Sequence, residues 1–67
     1  MPTYLKQAPR SMFRVIAHEE GEDWLLGDFQ NFPEACMAAA RRVQSIEESV
    51  RIYDDAGAEV GRLGQQL

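Results

Sequence analysis

Residues 31–46 read as a single helix whose inner face is almost all alanine, and such a helix is stable only against a surface that supplies the bulk it lacks. Asn31 is a good N-cap, Glu34 stands three residues on at capping-box spacing, and Pro33 falls in the first turn, where a missing N–H costs nothing. Phe32, Ala35, Cys36, Ala39, Val43 and Ile46 then recur at helical spacing. Glu34 near the start and Arg41 and Arg42 near the end suit the helix dipole. Arg41, Gln44 and Ser45 mark the opposite side, which is predicted to be wet. About fourteen residues give roughly 21 Å of helix, the length of a six-residue strand. Ala35, Ala38, Ala39 and Ala40 allow a close approach, so the large side chains must come from a sheet. Phe13, Val15, Leu25, Phe29, Val50 and Ile52 are the candidates.

The flanking sequence provides that sheet. Phe13, Val15 and Ala17 alternate with Met12, Arg14, Ile16 and His18, a period-2 strand with both faces partly apolar. A polar loop follows, Glu19-Glu20-Gly21-Glu22, and Asp23 to Phe29 resumes as a second strand paired antiparallel to the first. Ser49 to Tyr53 is a third strand, rich in β-formers. Asp54-Asp55-Ala56-Gly57 signals a four-residue hairpin turn, and Ala58 to Leu63 is a short fourth strand, weakened by Gly61 and expected at an edge. The expected fold class is therefore α+β, in the order ββαββ. One antiparallel sheet of three to four strands carries a single helix on one face, with strand order left open. Residues 1–10 hold two of the three prolines and no periodicity; they read as a flexible N-terminal tail ahead of one domain over 11–64.

Sixty-seven residues at 7.6 kDa leave room for one domain only. A hydrophobic fraction of 45%, a charged fraction of 27% and a mean hydropathy of −0.40 fit a globular chain without a membrane span. One cysteine, Cys36, cannot form an internal disulfide, and the start of the sequence has no hydrophobic signal core; the cytoplasm is the expected compartment. With Trp24 in the second strand, Phe29 and Phe32 before an Ala-rich helix, and Ile52-Tyr53-Asp54 followed by Gly57, residues 12–63 resemble small uncharacterised bacterial strand–strand–helix–strand domains. The resemblance implies no activity for particular residues. The acidic loop Glu19 to Asp23 departs from that pattern.

No constellation in the sequence points to catalysis. His18, Glu19, Glu20, Glu22 and Asp23 are rich in carboxylates but lack the spacing of a calcium loop, and read as a solvated hairpin tip. Asp54, Asp55 and Glu59 are explained by turn formation. His18 is the sole histidine and has no nucleophile beside it in sequence; Cys36 falls on the inner stripe of the helix, where a thiol is usually inert. There is no glycine-rich phosphate loop, zinc spacing or Gly-x-Ser-x-Gly element. The expectation is a non-enzyme with no cofactor and no metal.

The sheet's outer face is the more informative surface. With Phe13, Val15 and Ala17 toward the helix, Arg14, Ile16, Trp24, Leu26, Arg51 and Tyr53 are expected to face away, a set rich in the residue types of protein interfaces. A one-residue slip of register would exchange the faces, and Trp24 can equally turn inward to supplement a thin core. Two functions follow as expectations. The first is a small protein-interaction or regulatory module acting through that face, on a protein partner or as a homodimer. The second is weak binding of single-stranded nucleic acid by the same face, with Arg14 and Arg51 on phosphates, helped by Lys6 and Arg10. A net charge of −4 and a pI near 4.8 oppose the second, so nucleic acid is an unlikely partner on charge grounds, and no membrane is expected.

Overall fold

The chain runs β1 (Phe13–Glu19), β2 (Glu22–Phe29), α1 (Phe32–Arg42), β3 (Ser49–Tyr53) and β4 (Glu59–Gly64), and a computed structural model describes residues 6–19, 21–43 and 49–64. The four strands form one antiparallel sheet in the order β2-β1-β3-β4, with α1 as the single helix against it. This is the α+β, ββαββ arrangement expected, with all four strands in the sheet. Strand order is fixed by the pairing of β1 with β3, from Arg14 opposite Tyr53 to His18 opposite Ser49. The two central strands are thus the most apolar ones, and α1 packs chiefly on them.

Helix α1 begins as its sequence dictates. Glu34 N donates to the Asn31 side-chain oxygen at 2.9 Å, and Pro33 sits in the first turn. Ala35 and Ala39 are fully buried and pack with Val15, Ala17, Val50 and Ile52 as the core; Phe13, Leu26, Phe29, Cys36, Val43 and Leu63 close its rim. The helix is shorter than the apolar spacing predicts. Val43 is the C-cap, in extended backbone at φ −66° and ψ 116°, with its N–H still donating to Ala39 O at 3.2 Å. Eleven residues span about 16 Å, already the length of a five-residue strand such as β3. The expected positions of Gln44, Ser45 and Ile46 on the helix lie outside the described residues.

Both edge strands carry an extra residue. In β2, Gly27 pairs with Val15 but Leu25 pairs with Ile16, so Leu26 is a bulge. Gly27 adopts φ 151°, a conformation that residues with side chains rarely take, and a strand glycine of this kind is a common companion of a bulge. In β4, Gly61 pairs with Ile52 and Glu59 with Tyr53, leaving Val60 as the extra residue. The β1–β2 connection is tighter than a four-residue loop: Glu19 pairs with Glu22, and only Glu20 and Gly21 lie between.

The N-terminal segment is docked rather than loose over residues 6–11. Ala8 is buried, its N–H donating to Asp54 O at 3.0 Å, while Gln7 Nε2 donates to Asp55 O at 2.8 Å. Ser11, held at φ 63°, donates its N–H to Asp55 Oδ2 at 2.9 Å. The β3–β4 turn is stiff enough to anchor it, because Asp54 Oδ1 accepts from both Ala56 N and Ala58 N at 2.9 Å. Residues 1–5 of the expected tail lie outside the described residues.

Gly61 has a packing role that its sequence reading as a weak strand residue omits. A Cβ there would stand 3.1 Å from Ile52 Cδ1 and 3.3 Å from the Phe32 ring, so the missing side chain is the space that Phe32 occupies. Phe32 in turn meets Phe13 edge-on at 5.7 Å between centroids. Gly61→Ala is expected to destabilise the fold by about 1–2 kcal/mol through overpacking against a fully buried Ile52, read as a lower urea midpoint at unchanged m. An unchanged or raised midpoint would show that Phe32 yields freely.

Candidate functional site

Cross-strand partners lie on the same side of a sheet, so the registers define the outer face row by row. The first row is Asp28, Arg14, Tyr53 and Glu59; the second is Leu25, Ile16, Arg51 and Arg62; the third begins Asp23, His18, Ser49. Opposite charges meet along these rows. Arg14 Nε donates to Asp28 Oδ1 at 2.8 Å and its Nη2 to Oδ2 at 3.1 Å, a two-pronged pair with side chains only 16% and 23% exposed. At the other edge, Arg62 Nε donates to Glu59 Oε2 at 2.9 Å and its Nη2 to Oε1 at 3.3 Å. Arg51 Nη1 lies 3.8 Å from the same carboxylate, and its Nε is buried with no hydrogen-bond partner among the described residues.

A second network ties the ends of the face together. His18 Nδ1 lies 2.7 Å from Asp23 Oδ1. A carboxylate only accepts, so Nδ1 carries the proton, and in the neutral ring Nε2 accepts from the Tyr53 hydroxyl at 3.2 Å. His18 and Tyr53 stand two rows apart, and the contact between them passes over the row of Ile16 and Arg51. That path accounts for Ile16 being 1% exposed although it lies on the side away from the helix. Tyr53 itself is 3% exposed, and the Lys6 ammonium stands 5.7 Å from its ring centroid. Asp23–His18–Tyr53 has the connectivity of a proton relay. With its hydroxyl on a buried residue, it acts here as a clamp over Ile16.

The six residues expected on the outer face are thus divided. Arg14, Ile16, Arg51 and Tyr53 are there, but paired or buried. Leu26 packs against the core cluster beneath α1, and Trp24 pairs with the fully buried Ala17, on the helix side, where it remains 48% exposed. The cause is the Leu26 bulge: one extra residue inverts the alternation from Leu25 back to Asp23 and puts Leu25 outside in place of its neighbours. Cys36 is partly buried against the core, as its place on the inner stripe implied.

A second surface gathers Met37, which sequence reasoning passed over, with residues read there only as cap, dipole or core positions. Between α1 and β2 lies an open groove of about 440 Å³ lined by Phe29, Glu34, Met37, Ala38 and Arg41. Met37 is 54% exposed, the largest value among the exposed large hydrophobic residues. Neither the Glu34 carboxylate nor the Arg41 guanidinium has an ion-pair partner among the described residues. The signal was the spacing of Met37 with Glu34 and Arg41, one row on the side of the helix away from Ala35 and Ala39. Among the described residues, no group of three His, Cys, Asp or Glu is placed to hold a metal ion, and no helix is long and apolar enough to cross a membrane.

Comparison of the chain with protein-family models, with curated proteins and with solved structures finds no match.

Two outcomes follow from the outer face. Tyr53→Phe removes one hydroxyl and is expected to cost about 1 kcal/mol, whereas Tyr53→Ala, which also uncovers Ile16, costs about 3–5 kcal/mol; urea unfolding separates them. Equal losses would mean that the ring does not shield Ile16. The hydrogen bonds from Arg62 hold the Glu59 carboxyl below its ordinary 4.5; burial opposes this, and the charges of Arg62, Arg51 and His18 support it. A folded-state pKa below the unfolded one contributes stability that is complete above pH 4.5 and is lost as pH falls through the depressed value. Glu59→Gln is therefore expected to flatten the acid side of a stability–pH curve and leave its slope above that point alone. A variant curve parallel to that of the parent throughout would refute the assignment.

Proposed function

We propose that this chain is a small protein-interaction module, without enzymatic activity, that docks through the α1–β2 groove rather than through the open sheet face, with a second copy as its first candidate partner. The observation that supports this reading is the contrast between the two surfaces. The outer face spends its charges on internal pairs and buries Ile16 and Tyr53, and among its paired positions Leu25 is the exposed large apolar residue. On the helix side Met37 and Trp24 are about half exposed, and Met37 lines the groove together with Phe29, Ala38, one acid and one base. An apolar centre with a charged rim is the composition of a docking patch. A cytoplasmic setting fits a lone thiol. The outer face does not suit nucleic acid: base stacking needs accessible aromatics beside free cations, and on that face Tyr53 is buried while Arg14 and Arg51 are spent on carboxylates.

Sedimentation velocity at tens to hundreds of micromolar tests the reading. Met37→Glu is expected to weaken self-association at least about tenfold, since it places a charge at the centre of the patch, while Leu25→Lys leaves it unchanged. Loss of association in the Leu25 variant alone, or a parent chain that is monomeric throughout, would overturn it.

A further inference from the structure

We infer that two copies of the chain pair through their α1 helices, antiparallel about a two-fold axis between Met37 and Ala38, with Glu34 of each copy against Arg41 of the other. The inference rests on the groove being the docking surface and adds the partner's orientation and register. Glu34, Met37, Ala38 and Arg41 stand at i, i+3, i+4 and i+7 and so form one stripe of the helix. The stripe is its own complement when reversed. The point midway between 34 and 41 is also midway between 37 and 38, so one rotation brings acid onto base at both ends and a large residue onto a small one in the middle. Such mutual matching is what a two-fold contact demands, because the same patch must serve as both halves. Met37 opposite Ala38 places a flexible side chain over a methyl group, which lets the helices approach closely and directs Met37 toward the partner's groove, lined by Phe29.

Charge complementarity is present at the rim, and neither group has an ion-pair partner among the described residues. A helix of eleven residues offers a short contact, below the roughly 1,200 Å² of total buried surface typical of stable interfaces unless the flanking β2 residues contribute. The expected dimer is therefore weak, with a dissociation constant in the micromolar range, and sensitive to salt.

A charge exchange between two full-length variants decides the register. Glu34→Arg alone sets arginine against arginine and Arg41→Glu alone sets glutamate against glutamate, so each is expected to dimerise at least about tenfold more weakly than the parent. Mixed one to one, the two variants restore opposite charges at both ends, and a heterodimer forms with an affinity within a few-fold of the parent's, seen by native mass spectrometry and sedimentation. Circular dichroism melts of each variant alone confirm that both are folded, and restoration on mixing is a result that damage to the fold cannot produce. Single variants that dimerise like the parent, or folded variants that stay monomeric when mixed, overturn this register. If Met37→Glu still abolishes association in that case, the groove remains the docking surface and only the orientation fails. A monomeric parent overturns both.

Discussion

The extra residue at Leu26 governs what both sides of the sheet can do. A strand of β2's composition, Trp24-Leu25-Leu26-Gly27, offers apolar side chains to either face, and simple alternation from Phe29 would place Trp24 and Leu26 outside with Ile16. The bulge inverts that alternation over half the strand. Leu26 joins the core rim, Trp24 moves to the helix side, and Leu25 alone is left to neighbour Ile16. An outer face with three large apolar residues in a row would be sticky. With Ile16 buried under Tyr53 and Trp24 and Leu26 on the helix side, Leu25 is left beside charges that can be matched in pairs.

Those pairs differ in how far solvent screens them. Arg14 and Asp28 sit on the first row with most of their side-chain surface covered, so breaking the pair would strand a charge in a poorly solvated place. Glu59 receives two hydrogen bonds from Arg62 near the edge of the sheet, where solvent screens the attraction. Between them, Tyr53 lies along the face toward His18 and holds the fully buried Ile16 beneath it. The arrangement matches acids with bases along the rows, and a shift of register by one residue would part them.

How much of this was legible in the sequence varied with the range of the forces involved. The capped start of α1, its buried alanines and the Asp54–Gly57 turn depend on contacts within a few residues, and Asn31, Pro33 and Asp54 announced them. The position of β1 in the centre of the sheet was not visible, because both hairpins satisfy their own hydrogen bonds and nothing local says which outer strands meet. The sides on which Leu25 and Leu26 lie were misplaced, and that of Trp24 was left open, for a different reason. Period-2 reading assumes an unbroken strand, and Gly27 was the one residue signalling that the assumption fails. Docking of residues 6–11 on the β3–β4 turn was equally hidden, since Asp55 meets Ser11 across 44 positions.

The same accounting bears on why the helix side should be shared. The largest fully buried side chains of the described residues are Ile16, Ile52, Val15 and Val50, all aliphatic, and the sole tryptophan remains half outside. A chain of this length, with no disulfide, has little surplus stability to draw on. Its helix cannot deepen the core, because alanines bring it as close to the sheet as backbone allows and Phe32 already fills the gap over Gly61. Any further burial would come from outside, and the proposed surface around Met37 is apolar enough to provide it. Association there would bind the folded form and not the unfolded one, so the fold would gain stability with protein concentration. Docking and folding would then be linked through the same stripe of α1, with Ala35 and Ala39 serving the sheet and Met37 and Ala38 the partner.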